Sequence, residues 1–510
     1  MSRRSLSFLC ALGLGIASGS AAAAPMDCFT GTKTPAERLT ACTAAIADEA
    51  LTEALRNRAY LARAELRRDA RDVDGALADI DAAERMGGLD SEARLTRARL
   101  LFFSGLADTA LDDLDILIGG DPGQTDAYLL RAEILLDLGE TDLAMLDLGE
   151  VRRLKPDDPG PYRVRGRTFL RNGNARAAID ELEQAVQLDP ADRTSLSLLG
   201  TARLRSGQPA QAIIAFGALL DANPDNLEIR MIRAAAHGQL KNFEAAIADY
   251  DVVLAARPDD LEARESRGVA QLFNEHPKAA EADFTVVLET GDPNERVSLF
   301  RGSARFAQQN YTGAEADFTA VLRRFPADAD TRLNRGLARL ALGRPAEAIE
   351  DFTVALNSEP DLTLAQRRRA QTYVLVGDFA AALSDLDGLS APTPADAVWR
   401  FMAAKRAGQP DATTMLGEMT QGLDPTIWPG ALIDGLEGQV TIDVVLREAA
   451  READLANARL TETHFVLGQL ALADQQMDLA RRSFEAAVTA GSLDLIEYQG
   501  AKLELERLGN

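Results

Sequence analysis

Residues 301–336 read RGSARFAQQNYTGAEADFTAVLRRFPADADTRLNRG and contain one full copy of the pattern that decides the fold. Gly302 is followed by Ala314 after twelve residues, by Pro326 after twelve more, and then by Gly336, which starts the next copy. The pattern therefore returns after 34 residues. A fixed period of this length is typical of a chain built from repeated helix–turn–helix units.

The same spacing holds for ten consecutive copies, each of which has Gly or Ala at the position of Gly302, called the anchor below. The anchors are Ala64, Ala98, Ala132, Gly166, Gly200, Ala234, Gly268, Gly302, Gly336 and Ala370. An Ala follows every anchor after twelve residues. Because two antiparallel helices approach closely only where the crossing residues are small, each copy is predicted to form two packed helices, A and B.

Residues that end helices occupy fixed places in the copies. Gly lies seven residues after the anchor in six copies, where it would end helix A in a left-handed conformation. Pro lies 24 residues after the anchor in eight copies, where it would stop helix B. An unrelated helical bundle would not keep one period over 340 residues, so we expect an all-α repeat fold.

The pattern resembles the tetratricopeptide repeat (TPR), and the resemblance covers residues 57–396 as ten repeats. It implies an α-α superhelical TPR solenoid of helix-turn-helix repeats with a right-handed course. It also implies a chain that binds protein or peptide partners in a concave groove and is not an enzyme.

The chain on either side of the repeats is less regular. We predict a signal peptide at residues 1–23, an N-terminal arm and capping helix at 24–56, an irregular helical region at 397–460, and a C-terminal TPR repeat with a capping helix at 461–510. Arg3 and Arg4, a short apolar run and the alanines at 21–24 are typical of a signal peptide. We therefore expect an exported, periplasmic protein, and no later segment is apolar enough to span a membrane.

Two cysteines, Cys28 and Cys42, remain after the signal peptide, in a compartment where disulfides persist. Thr34 and Glu37 flank Pro35 and predict a capping box at the start of a helix that carries Cys42. We expect a structural disulfide that joins the arm to this helix. The alternative is two unpaired, buried cysteines.

The composition excludes several classes of function. With 79 acidic against 55 basic residues and a net charge of −24, the chain would repel nucleic acid and anionic membranes. Three Cys and three scattered His (His237, His276 and His464) provide no metal site, and no catalytic or cofactor-binding motif is present. We therefore predict no catalytic, metal or cofactor-binding residues. Residues 397–460 are too short for a catalytic domain of ordinary size.

Two positions of the repeat vary together. The residue before the anchor is Arg in nine copies, and the residue 15 after the anchor is acidic in the same nine. The pairs are Arg63/Asp79, Arg97/Asp113, Arg131/Asp147, Arg165/Glu181, Arg233/Asp249, Arg267/Asp283, Arg301/Asp317, Arg335/Asp351 and Arg369/Asp385. The fifth copy lacks both residues. We predict an ion pair from helix A to helix B within each repeat, with a structural role.

In the TPR family the concave face is lined by the helix A residues three before the anchor and one, four and five after it. These positions hold Arg163, Arg167 and Arg171 in the fourth repeat and Arg205 in the fifth. We expect this row to bind a partner segment rich in carboxylates or bearing phosphate. The alternative is a solvated charged face paired with neighbouring acids. Elsewhere the concave, inner face carries apolar residues. They form either a groove for an apolar helix or partly buried packing. These residues are Leu61, Leu95, Leu129, Met231, Leu299, Phe306 and Leu333.

Residues 462–469, with Phe484 and the tail at 497–505, are similar to the C-terminal part of bacterial periplasmic TPR lipoproteins. Those proteins act as adaptors for a periplasmic protease and for peptidoglycan hydrolases, but their lipobox is absent here because Leu9 precedes Cys10. We expect a non-enzymatic periplasmic scaffold or adaptor. The alternative is a structural or assembly component of the cell envelope that holds wall enzymes or exported proteins.

Overall fold

The computed structural model describes residues 27–29, 33–291, 294–422, 424, 426–492 and 495–509. These residues form 28 α-helices and no β-strand, which confirms the all-α class. The predicted signal peptide lies outside the described residues. The chain divides into two compact units, one up to Asp225 and one from Asn226, which are taken separately below.

The described residues of the first unit form eleven helices. They are α1 Pro35–Ala47, α2 Glu53–Asp69, α3 Val73–Gly87, α4 Ser91–Phe103, α5 Ala107–Gly120, α6 Thr125–Leu138, α7 Thr141–Leu154, α8 Gly160–Arg171, α9 Ala175–Leu188, α10 Arg193–Arg205 and α11 Pro209–Ala222. From α2 onward, each even-numbered helix is a helix A and packs against the odd-numbered helix B that follows it. Repeats one to five thus lie in this unit.

Seventeen helices are formed by the part of the second unit that the structure describes. They are α12 Leu227–Gln239, α13 Phe243–Ala256, α14 Leu261–Phe273, α15 Pro277–Thr290, α16 Glu295–Ala307, α17 Tyr311–Arg324, α18 Ala329–Ala341, α19 Pro345–Ser358, α20 Thr363–Val376, α21 Phe379–Asp387, α22 Pro394–Arg406, α23 Ala412–Thr420, α24 Gly430–Leu436, α25 Ile442–Ala449, α26 Ala453–Ala473, α27 Met477–Ala490 and α28 Ile496–Arg507. Repeats six to ten occupy α12 to α21, and α26 with α27 forms a further helix pair of the same kind.

The arm and first helix of the chain are joined as the cysteine pattern predicts. Thr34 Oγ1 accepts a hydrogen bond from the Glu37 backbone N–H at 3.3 Å, and the Glu37 carboxylate accepts one from the Thr34 N–H at 2.9 Å. This capping box begins α1, which carries Cys42. The sulfur atoms of Cys28 and Cys42 lie 2.14 Å apart, at the distance of a disulfide bond, and both residues are fully buried.

Helix A ends in a left-handed residue in every repeat. The six predicted glycines have φ angles between 73° and 88°, as at Gly343 and Gly377. The other four repeats, and the α26/α27 pair, place a residue with a side chain there, and its φ lies between 58° and 61°. These residues are Arg71, Lys241, Glu275, Gln309 and Gln475. The turn geometry is therefore common to all the repeats, whether or not Gly is present.

All nine predicted ion pairs form within their own repeat. The Nη2 atom of each Arg lies 2.6–2.8 Å from its carboxylate partner. The eight Asp side chains are buried. Several of these arginines also contact the preceding repeat: Arg131 Nη1 donates to Asp115 at 2.6 Å, and Arg267 Nη1 donates to Asp251 at 2.7 Å. The ion pair thus connects helix A both to its own helix B and to its neighbour.

The C-terminal region departs from the predicted helix limits. Residues 397–460 were predicted to be irregular and the C-terminal repeat to start at 461, but α25 ends at Ala449 and the 21-residue α26 begins at Ala453, eight residues before that boundary. Residues 453–467 contain neither Gly nor Pro, so nothing in this stretch interrupts α26.

The last helix, α28, covers part of the inner face of the second unit. It packs on α26 and α27, as a capping helix should, but it also contacts α18 and α20 of repeats nine and ten. A Cβ on Gly500 would lie 2.6 Å from side-chain carbons of both Leu375 and Phe465, so only Gly allows this approach. Leu333, which was predicted on the apolar inner face, is packed within the core and is 6% exposed.

Candidate partner-binding site

The four arginines predicted to bind a partner lie on helices α8 and α10 of the first unit. Arg163, Arg167 and Arg171 are spaced by four residues on α8, which places them along one side of the helix. Arg205 is the last residue of α10. The side chains of Arg163, Arg167 and Arg171 are 25%, 33% and 38% exposed, so all three reach solvent.

Each of these guanidinium groups has a partner within the chain. Arg163 Nη1 donates to Asp192 Oδ2 at 2.6 Å, and Arg167 Nη1 donates to both oxygens of Glu133 at 2.9 and 3.0 Å. Arg171 pairs with Asp137, and Arg205 Nη1 donates to the backbone carbonyl of Leu170 at 3.3 Å. Three of the four arginines are therefore in ion pairs that join neighbouring repeats, and Arg205 is hydrogen-bonded to a backbone carbonyl, so the row contains no unpaired cation.

The pairing also affects an acid at the site. Burial opposes ionisation of Asp192, but the hydrogen bonds from Ser195 and Arg163 outweigh it and hold the pKa of Asp192 below its usual range. Asp192 is therefore charged at neutral pH and keeps Arg163 in place.

The sequence reasoning missed the acids that hold the row. Glu133 precedes Arg167 by 34 residues, and Asp137 precedes Arg171 by the same number. Two residues one period apart occupy the same position in adjacent repeats, so opposite charges at that spacing were the signal for these pairs.

Two of the four arginines line a cavity of about 380 Å³ on the inner side of repeats two to four. Arg163 and Arg167 are among its lining residues, whereas Arg171 and Arg205 are not. The cavity is also lined by Arg99, which is exposed and whose guanidinium group makes no hydrogen bond or ion pair with any described residue. Phe103, which is 73% exposed, contributes an apolar wall. Asp126 and Glu133 line the cavity as well, so three cationic, two acidic and the aromatic groups are presented together.

The described residues contain no cluster of three or more His, Cys, Asp or Glu side chains that could hold a metal ion. Over the same residues, no helix has the length and apolar character needed to cross a membrane.

Comparison with known proteins identifies the repeats. The family model described as Tetratricopeptide repeat matches residues 61–125, 95–159, 163–226, 197–260 and 300–362, which together make up more than half of the chain. No curated protein matches the sequence.

Several solved structures are similar over part of the chain. A tetratricopeptide repeat protein from Parabacteroides merdae is 21% identical, covers 48% of this chain and 98% of its own, and has a TM-score of 0.38. MamA 41-end from Desulfovibrio magneticus RS-1 is 19% identical over 33% of this chain and 96% of its own, with a TM-score of 0.32. YrrB, described as a TPR protein with an unusual peptide-binding site, is 17% identical over 38% of this chain and 97% of its own, with a TM-score of 0.33.

The family match covers repeats on both sides of Asp225, and the helix pairs of both units have the form that the 34-residue period predicts. The chain therefore belongs to the tetratricopeptide repeat family, whose members are in general protein-interaction scaffolds without catalytic activity.

Proposed function

We propose that this protein is a non-enzymatic periplasmic scaffold that binds an acidic protein or peptide segment on the inner side of repeats two to five. The observation that carries the proposal is the combination of the Arg163, Arg167, Arg171 and Arg205 row with Arg99 and Phe103 at the adjoining cavity. In a chain of net charge −24, such a cluster of arginines attracts carboxylates where most of the surface repels them.

The internal ion pairs leave binding capacity on these arginines. A guanidinium group has five N–H donors, and both Arg163 and Arg167 use only Nη1 in their contacts with Asp192 and Glu133. The remaining donors of these side chains make no hydrogen bond with a described residue. A partner carboxylate can therefore add to the existing pair without breaking it. Arg99 can bind a partner carboxylate without giving up an internal ion pair, because its side chain has no partner among the described residues.

The proposed location rests on two features. The first 23 residues have the composition of a signal peptide, and Cys28 and Cys42 lie at bonding distance. Disulfides persist in oxidising compartments and are rare in the cytosol. Both features favour export.

The proposal is tested by crosslinking in intact cells, followed by identification of the protein recovered with the scaffold. We expect one acidic partner, and we expect its recovery to be lost when Arg163→Glu, Arg167→Glu and Arg171→Glu are combined. The matched control reverses three exposed arginines on B helices, Arg152, Arg153 and Arg176, and so makes the same change in net charge. Recovery should persist in this control.

Replacing these arginines with Glu also places like charges next to Glu133 and Asp137, and the resulting repulsion could by itself perturb the site. A second triple variant, with Gln at 163, 167 and 171, therefore removes the positive charge but keeps side chains that form hydrogen bonds. Glu133 is buried and loses its cationic partners in the Gln variant, so we expect this variant to unfold at a lower temperature than the unaltered protein but to stay folded in the assay, while recovery of the partner falls. Undiminished recovery with both sets would show that the row is only a solvated face.

A further inference from the structure

A second cavity lies in the second unit, on the inner side of helices α12 and α14. Its volume is about 550 Å³. Ala235, Gly238 and Gln239 of repeat six line one side, and Val269 and Phe273 of repeat seven line the other. These residues occupy the anchor-plus-one, plus-four and plus-five positions, which face the groove in the family. Cavities of 300–1,000 Å³ are of the size that holds a ligand group.

The cavity exists because Gly238 has no side chain. The corresponding position is Leu in five of the other nine repeats: Leu136, Leu170, Leu204, Leu272 and Leu340. A Cβ on Gly238 would meet no atom within 4 Å, so the space in front of it is open. Repeat six therefore has a hollow where eight of the other nine repeats have an apolar side chain, the remaining three being Phe102, Phe306 and Val374.

Aromatic side chains form the apolar wall of this hollow. The rings of Phe243 and Phe273 are stacked, with centroids 5.6 Å apart and planes inclined by 19°. Phe273 is 58% exposed, and Tyr250 lies buried behind the cavity. A stacked pair with one exposed ring offers a surface on which a further aromatic ring can pack in an offset or edge-on arrangement.

The rim of the cavity is charged. Lys241 lies in the turn after α12 and is exposed, and its side-chain ammonium makes no hydrogen bond or ion pair with a described residue. Arg296 pairs with Glu265 but is 68% exposed. The rim thus carries two cations and one carboxylate, and Lys241 is the cation left without a partner among the described residues. An anionic group next to an apolar one complements this arrangement.

We propose that this cavity binds an aromatic side chain of a peptide segment in which an acidic residue flanks the aromatic one. The ring packs against Phe243 and Phe273 in the hollow of Gly238, and the carboxylate approaches Lys241. The inference rests on the proposed function only in taking a peptide as the occupant, because the two sites lie on different units and share no residue.

The test measures binding of the peptide Ac-Gly-Asp-Trp-Asp-Gly-NH2 to the full chain by isothermal titration calorimetry. Gly238→Leu fills the hollow with the side chain that five other repeats carry, so the fold is expected to accept it. We expect this variant to bind the peptide at least about tenfold more weakly, since the aromatic ring loses its apolar site. The matched control is Gly217→Leu on α11, where a Cβ also meets no atom within 4 Å. Its affinity should equal that of the unaltered protein.

The charge is tested separately with Lys241→Asn. Lys241 has a φ of 58°, a conformation that Asn tolerates better than most residues, so this change removes the cation without adding strain. We expect the affinity for the Asp peptide to fall roughly two- to fivefold, as for an exposed ion pair, and the affinity for the same peptide with Asn in place of Asp to stay constant.

The outcomes separate this inference from the proposed function. If the unaltered protein does not bind the peptide, or if Gly238→Leu binds it equally well, the cavity is not the site. If Lys241→Asn affects neither peptide, the acidic part of the inference is wrong. Combined Glu replacements at Arg163, Arg167 and Arg171 should leave binding of this peptide intact even where they abolish recovery of the cellular partner.

Discussion

Gly336 lies directly against the ring of Phe352, and a Cβ on Gly336 would stand 2.5 Å from Cε1 of that ring. The same relationship joins Gly200 to Phe216, Gly268 to Phe284, Gly302 to Phe318 and Gly468 to Phe484, at 2.4–2.7 Å. Where the anchor is Ala, the residue 16 positions later is never Phe; it is Ile80, Leu114, Leu148, Tyr250 or Leu386. Among these repeats Phe is thus matched with a Gly anchor, although the converse does not hold, since Gly166 faces Leu182 and Ala234 faces the large Tyr250.

The first prediction concerns this match. Gly336→Ala should lower the free energy of unfolding by about 1–3 kcal/mol, because the added methyl group displaces a ring that has no free space. Adding Phe352→Leu should recover part of that loss, since an Ala anchor faces Leu in several other repeats. Gly119→Ala is the control, because its Cβ would meet no atom within 4 Å, and it should be neutral or slightly stabilising. Urea denaturation of the four proteins measures these differences, and equal losses at Gly336 and Gly119 would contradict the match.

The second prediction concerns the ion pairs. Glu181 accepts hydrogen bonds from Arg165 and from no other described arginine, whereas Asp317 accepts from both Arg301 and Arg305. The Arg165/Glu181 pair is therefore the cleaner one to reverse. We expect Arg165→Glu and Glu181→Arg each to cost about 1–3 kcal/mol of unfolding free energy, and the double variant to regain part of it. A double variant that loses the simple sum would indicate that the two side chains do not interact.

The third prediction concerns pH. Burial and the neighbouring carboxylate of Glu497 raise the pKa of Glu462 from 4.5 to about 7, although Trp428 Nε1 donates a hydrogen bond to it at 2.7 Å. Between pH 4.5 and about 7, the Glu462 carboxyl group is therefore protonated in the folded state and ionised in the unfolded state. Its stabilising contribution is fully present below pH 4.5. Its contribution falls as the pH rises to about 7 and is absent above that value.

Denaturation of the unaltered protein and of Glu462→Gln across this range should show the difference. We expect the variant to gain about 1–3 kcal/mol relative to the unaltered protein between pH 4.5 and 7. Glu485→Gln, which removes an exposed carboxylate from α27, is the control and should give no such trend. Parallel pH curves for the protein and the Glu462 variant would refute the shift.

The fourth prediction concerns the cysteines. Exported protein that is denatured without reductant should contain no free thiol from Cys28 or Cys42. Replacing both with Ser should cost about 3 kcal/mol, as expected for opening a loop of about 15 residues. Two reactive thiols in the denatured, unreduced protein would rule out the bond.

Most of the fold could be predicted from the repeat period of the sequence. It located the helix pairs, the left-handed turns and all nine ion pairs, because each depends on residues within one repeat and recurs at the same spacing. The Arg167–Glu133 pair joins two repeats and was not predicted, although its spacing of one period was visible. The contact of Gly500 with Leu375 could not be predicted from the sequence, because it joins distant elements and occurs once. The hollow at Gly238 could not be predicted from the repeat pattern either, because it results from the absence of a side chain in a single repeat.

Helix α28 sets a limit on what the second unit can accommodate. Leu495 and Ile496 at its start lie beside Phe306 and Leu337 on the inner helices of repeats eight and nine. Under the proposed binding at the Gly238 hollow, a peptide that follows this face therefore meets α28 at repeats eight and nine. The length of groove open to such a peptide in the second unit is set by a helix of the same chain.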